Sequence, residues 1–374
     1  MKTFNQQLMI ARLILPSISL TSALVFHQAN AQSEVLSADD EKSVFSGNLR
    51  IGYLATDMDK NHGNESFAVG GELNYSSASW QGISATGTLY TTQKLFSHDN
   101  SSFFGSDGAS YTILGQGYLQ ANFAATEIKV GRFGFDSPHL DMDDVRMVPN
   151  TFSGILVSNT AISESTVYLA HLDKWSGVNT EKPEHFTKIV GSKGVNIFGV
   201  VYQGFESVTV QSWFYHADEL ANLIYLEVMV EMTQFTLGVQ YAQQTDNRDG
   251  KSGIDGDVFG LSACYTWGEL TFSSSYNHVW GTVINGFGGG PFFTNSADHT
   301  IADVIDQSAL AIGVDYTGIA NLTIGLLNVA FDKGADELDL LVSYDFGNDM
   351  VFDFIYHHMH EDGDMVLALF NVSF

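Results

Sequence analysis

Residues 131–154 read GRFGFDSPHLDMDDVRMVPNTFSG and carry a dense set of charged side chains. Asp136, Asp141, Asp143 and Asp144 fall within nine residues, with Arg132 and Arg146 on either side. Carboxylates opposed by guanidinium groups across a narrow passage set a strong field where water is scarce, and that field sorts ions and charged solutes. On this reading Arg132, Asp136, Asp141, Asp143, Asp144 and Arg146 line a pore constriction. A solvated surface loop would carry the same residue types, so the elements that position the loop must decide.

Other constellations offer less. HHMHEDGD brings together His357, His358, His360, Glu361, Asp362 and Asp364. Imidazole and carboxylate suit a transition metal, but His357 and His358 point to opposite faces of a strand, so an exposed polar tip is the plainer reading. DMDKNHGNE offers Asp57, Asp59, Asn61 and Glu65, yet Gly63 comes one position late for a calcium loop and Ala68 stands where the bidentate Glu belongs. GFGGGPFF lacks the GK[ST] and helix of a phosphate loop. No G-x-S-x-G motif or Ser-His-Asp set is identifiable, and His278 reads as a packed or interfacial histidine. Cys264 is the single cysteine, which excludes a disulfide framework and a cysteine metal site. The chain is not expected to be an enzyme.

The elements alternate with period two almost throughout. QFTLGVQYAQQ puts Phe235, Leu237, Val239 and Tyr241 on one face against Thr236, Gly238, Gln240 and Ala242. ALAIGVDY and LDLLVSYDF alternate likewise, as does the terminal DMVLALFNVSF. A β-sandwich also alternates. Here the second face carries Gly, Ser, Thr, Gln and acids, and the segments run to about ten residues, as strands that cross an outer membrane do. Eighteen such segments fit the chain, or sixteen if two weak ones merge. The weak segments are 151–161 and 321–331, where parity breaks at Leu326–Leu327 and a bulge is expected. The fold class is therefore all-β: a transmembrane antiparallel β-barrel, with the apolar face toward lipid and the mixed face toward water. Phe370, Val372 and Phe374 share the lipid parity of the closing strand.

Composition agrees. Gly is abundant (36 residues), Pro scarce (5) and aromatics reach 13%. Lys2 and Arg12, the apolar run from Leu13 to Phe26 and Ala29-Asn30-Ala31 read as a secretory signal peptide over residues 1–31. Residues 32–374 then form the barrel, with all 43 acidic and 14 of the 16 basic residues, a formal charge of about −29. Such a charge disfavours nucleic acid and favours cations near any channel. Connections after even-numbered strands are short; those after odd-numbered strands include 96–110, 136–150, 176–192, 245–255 and 282–306. That asymmetry is the one between periplasmic turns and outer loops. An eighteen-strand barrel is roughly 35 Å across, too wide for side chains alone to fill. About 13 residues between the signal peptide and the first strand are too few for a plug domain, so an inward loop, about 136–150, must narrow the channel.

YLQANFAATEIKVGR, then DSP, then DDVRMVPNTFSG resembles the signature region of OprD-type outer-membrane porins, in particular the major outer membrane protein branch. GGGPFF at 288–293 is a weaker echo. The resemblance implies an eighteen-stranded barrel in the bacterial outer membrane, with the third loop folded inward and small, often cationic or carboxylate-bearing solutes passing. It maps Arg132, Asp136, Asp144, Arg146 and Asn150 onto the narrowest region. It also allows a calcium ion near Asp136, which spacing does not indicate; no other cofactor or metal is expected. Terminal aromatics such as Phe374 resemble the assembly signal read by the barrel-assembly machinery. Either monomers or homotrimers would fit the resemblance.

The chain departs from that family in its lumen charges. Substrate-selective members carry a basic ladder, whereas Arg50, Lys129, Arg132 and Lys193 are the obvious basic strand residues here. Inward parity holds Glu72, Asp173, Glu227, Glu231, Asp315, Asp339, Asp345 and Asp353. The expectation is a passive, cation-preferring diffusion channel. Its alternatives are a substrate-selective channel for small organic solutes and a structural or adhesive barrel without significant conductance.

Overall fold

The computed structural model describes residues 42–56, 64–97, 102–248, 250–359 and 363–374. The segment 1–31, together with Asp57, Asp59, Asn61, His360, Glu361 and Asp362, lies outside the described residues. Eighteen antiparallel strands pair in chain order into one closed sheet. Closure runs between the first strand, Val44–Thr56, and the last, Gly363–Ser373, in the register Ile51↔Phe370 and Leu49↔Val372. Phe374 completes the seam by exchanging backbone hydrogen bonds with Gly47 at 2.9 and 3.0 Å. Among the described residues, each of the eighteen wall strands is paired on both sides, as a backbone surrounded by lipid requires. A two-residue strand, Thr187–Lys188, adds to the outer end of Ser165–Ser176, and one 3-10 turn, Ile301–Asp303, is the only helical element among the described residues.

Alternation assigns the faces. In Ala221–Glu231, Tyr225 and Glu227 are 0% and 3% exposed, while Leu226 and Val228 are 43% and 38% exposed. The outward series Leu49, Leu73, Leu119, Val130, Ile155, Leu169, Phe198, Leu261, Ile312 and Leu326 continues around the wall as the lipid face.

Two sequence expectations need correction. Leu326 and Leu327 pair in uninterrupted register with Val314 and Gly313, without a bulge. Leu327 is buried on the inner side, where the inner face is itself apolar. The interior is also less wet than expected. Leu367 and Leu369, on the mixed face of the last strand, are each 1% exposed and pack with Leu54, Phe103, Met147 and Val148 instead of meeting water. Loops folded into the barrel cover these inner positions, which is why their apolar side chains do not betray them as lipid-facing.

Candidate functional site

The strands Thr126–Phe133 and Thr151–Asn159 are paired neighbours, so residues 134–150 leave and re-enter the wall at adjacent points. Between those points the loop reaches distant parts of the barrel. On one side it meets the first strand. Arg50 alternates inward from the exposed Leu49, and its two terminal nitrogens donate to the Asp144 carboxylate at 2.6 and 3.0 Å. Its Nη1 also donates to the Arg146 carbonyl at 2.5 Å, and its Nε to Asn371 Oδ1 at 2.7 Å. A forked, charge-assisted contact of this kind fixes position and orientation together.

On the other side the loop locks onto residues 283–307. The Phe287 N–H donates to the His139 carbonyl at 2.9 Å, and the Asp141 N–H to the Phe287 carbonyl at 3.3 Å. The Asp141 carboxylate accepts from the N–H groups of Gly289 and Gly290, each at 3.2 Å. Gly288 adopts φ +145, and a Cβ there would overlap that carboxylate. His139, 1% exposed, donates from Nδ1 to the Asn285 carbonyl at 2.6 Å, which fixes a neutral tautomer. Its ring sits edge-on among Tyr215, Tyr225 and Phe292 with centroids 5.5 to 5.8 Å away, and its Nε2 has no hydrogen-bond partner. Burial pushes the imidazole down to about 4. Burial, followed by Asp143 and Asp136, pushes Asp141 up to about 8.

The remaining loop residues are braced locally. Asn150 is 0% exposed and donates to Asn179 Oδ1 at 2.5 Å while accepting from the Asn179 N–H at 3.1 Å. Asp143 takes φ +42. Asp136 is exposed to the lumen and accepts the Met142 N–H at 2.8 Å. Arg146 donates to Ser102 Oγ at 3.1 Å and, among the described residues, has no carboxylate at ion-pair distance. Asp136, Asp141, Asp143, Asp144 and Arg146 are thus brought together on the inward loop. Arg132 is set apart: it lies over the Phe186 ring at 4.3 Å and donates to the Leu114 carbonyl, on the parity of the exposed Val130.

Along the wall, two of the basic residues are tied to carboxylates, while Lys193 lies in the turn before Val195–Phe205 and not on a strand. Arg50 clamps Asp144, and Lys129 lies 3.4 Å from Glu127. Glu227 accepts from Gln211 and Tyr225, both at 2.6 Å, and Asp353 accepts from Ser343 Oγ at 2.7 Å. Glu72, Glu231 and Asp315 are half-buried on the inner parity. Asp339 meets His357 at 2.7 Å. His278 bonds Ser308 Oγ at 2.6 Å beside Trp280.

Sequence reasoning missed His139, Asn179, Asn285 and the bracing role of residues 283–307. The Gly-rich 288–290 run was the one signal available, because close backbone approach needs residues without side chains.

Comparisons with known proteins agree with this geometry. A family model described as outer membrane porin, OprD family, matches residues 46–300. The fold is similar to OccAB4 of Acinetobacter baumannii, with TM-score 0.77 and 17% identity over 90% of this chain and 99% of that one. It is similar also to OpdK of Pseudomonas aeruginosa, with TM-score 0.78 and 18% identity over 89% and 99%. A BenF-like porin of Pseudomonas fluorescens Pf-5 gives 0.78 and 16% over 89% and 98%. No curated protein matches the sequence.

Proposed function

The chain belongs to the OprD family of outer-membrane porins, and on that premise we propose that its channel prefers cations and that residues 134–150 are its selective constriction. As a porin it resides in the bacterial outer membrane and lets small hydrophilic solutes diffuse through its lumen. One observation carries the cation preference. Arg50 and Lys129 are matched by Asp144 and Glu127, whereas Glu72, Asp136, Asp143, Glu231 and Asp315 face the interior with no basic side chain at ion-pair distance among the described residues. Fixed negative charge in a low-dielectric passage raises the local cation concentration. Transport of this kind needs no bond chemistry, so the reading assigns the chain no enzymatic step.

A second reading keeps the pore and makes it selective for small organic carboxylates. It rests on Arg146, a guanidinium on the inward loop with no ion-pair partner among the described residues, and on the similarity to OpdK, which has been crystallised with vanillate. Two measurements separate them: reversal potential under a salt gradient, and block of the current by vanillate. Cation selectivity that D143N weakens supports the first reading. Block by vanillate that R146Q abolishes supports the second. A folded barrel without conductance would return the chain to a structural role.

A further inference from the structure

The sequence singled out His357 for its histidine neighbours, but its partners are on the adjacent strand. Glu337–Gly347 pairs with Met350–Met359 so that Asp339 stands opposite His357, and Glu337, two residues earlier, shares the inner face. His357 Nδ1 lies 2.7 Å from Asp339 Oδ1 and 3.5 Å from Glu337 Oε1. Donor atoms of all three residues fall within 4.8 Å of one another. The side chains of Glu337, Asp339 and His357 are 0%, 1% and 1% exposed.

We propose that Glu337, Asp339 and His357 form a binding site for one divalent transition-metal ion, which pins the loop 283–307 to the barrel wall. Two independent features point to a cation. The first is spacing: ligands about 2.1 Å from a metal, at tetrahedral to octahedral angles, sit about 3 to 3.4 Å from one another, close to the separations found here. The second is charge. Two buried carboxylates face one imidazole, and no Lys or Arg is at ion-pair distance among the described residues. A protonated imidazole leaves the group with a net negative charge, which burial penalises. A divalent ion with a neutral imidazole balances both carboxylates. The imidazole favours a transition metal over calcium or magnesium, which prefer oxygen alone.

The site's outer partners all come from the loop. Glu337 Oε2 accepts from Ser296 Oγ at 2.7 Å and from the His299 N–H at 3.0 Å, and Oε1 accepts from the Asp298 N–H at 3.1 Å. Asp339 Oδ2 accepts from the Ala297 N–H at 3.4 Å. These bonds orient the carboxylates as the outer partners of metal ligands do. The same loop holds Asp141 and His139 through Gly289, Gly290 and Asn285. Metal occupancy is thereby linked to the firmness of the constriction.

The test uses the full folded barrel in detergent, stripped with chelator and titrated with Zn2+ by calorimetry, with Mn2+ binding followed by electron paramagnetic resonance. One ion per barrel is expected, together with a higher Tm and quieter single-channel current when loaded. D339N and H357A should weaken binding by about tenfold or more, and D339N preserves shape and hydrogen bonding if H357A fails to fold. H358A removes an exposed imidazole 2.6 Å from Asp364 and should leave binding unchanged. Absence of binding in the folded wild type, or binding that H358A removes and D339N does not, overturns the proposal and leaves the three residues sharing a proton.

Discussion

The inward loop is held at its two sides by different physics. The Arg50 side is one forked ion pair with side chains 11% and 22% exposed, within reach of salt and water. The His139 side is a set of backbone hydrogen bonds and ring contacts around an imidazole 1% exposed. The first fixes position cheaply and is screened. The second is dry, so each polar group must be satisfied, and a change of charge there is expensive. An inward loop held this way keeps one rigid side and one side that answers to its ionic surroundings.

The largest effect should come from removing both holds at once. Deleting residues 138–148 should raise single-channel conductance several-fold while heat-modifiable migration of the folded barrel persists. An unchanged conductance would mean that the loop does not narrow the pore. Next comes acid. The ordinary imidazole value is about 6.5, and His139 in the fold sits at about 4. The unfolded chain therefore binds more protons between those values, and stability falls as pH drops from about 6.5 to about 4, by about 3 kcal/mol at most. Chemical denaturation across that range should show the loss, and H139F, which keeps an aromatic ring but cannot titrate, should flatten it.

The ion-pair side should cost less. R50Q leaves the Asp144 carboxylate uncompensated, and the expected destabilisation is about 2 kcal/mol, between exposed and fully buried pairs. The same variant should increase cation selectivity and open-channel noise, both measurable in a planar bilayer. The smallest effect concerns Asp141. Because burial and its acidic neighbours raise it to about 8, cation selectivity should climb modestly as pH rises from 7 to 9, and D141N should remove the climb.

Much of the barrel was legible because lipid imposes a strict rule: alternate residues must be apolar around the whole wall. That rule marked Leu237 and Val239 as outward and Gln240 as inward without any tertiary knowledge. It misled where the inner face is also apolar, at Leu327, Leu367 and Leu369, since only the folded loops reveal what covers them. The acidic run at 136–144 was visible as composition. Its partners were not: Arg50 and Asp144 are 94 residues apart, and nothing local in either stretch names the other. His357 is an intermediate case. Counting back through the short turn at 348–349 from the Gly347↔Met350 pair puts Asp339 opposite His358; the register shift between Asp345 and Gly347 moves it to His357, and nothing local in the sequence marks that shift.

The reversal potential of single wild-type channels under a potassium chloride gradient tests the central claim most directly. A potential of the sign set by potassium, reduced when Asp143 is replaced by Asn, is the predicted result. A potential of the sign set by chloride would contradict it and put Arg146, not the carboxylates, in control of the pore.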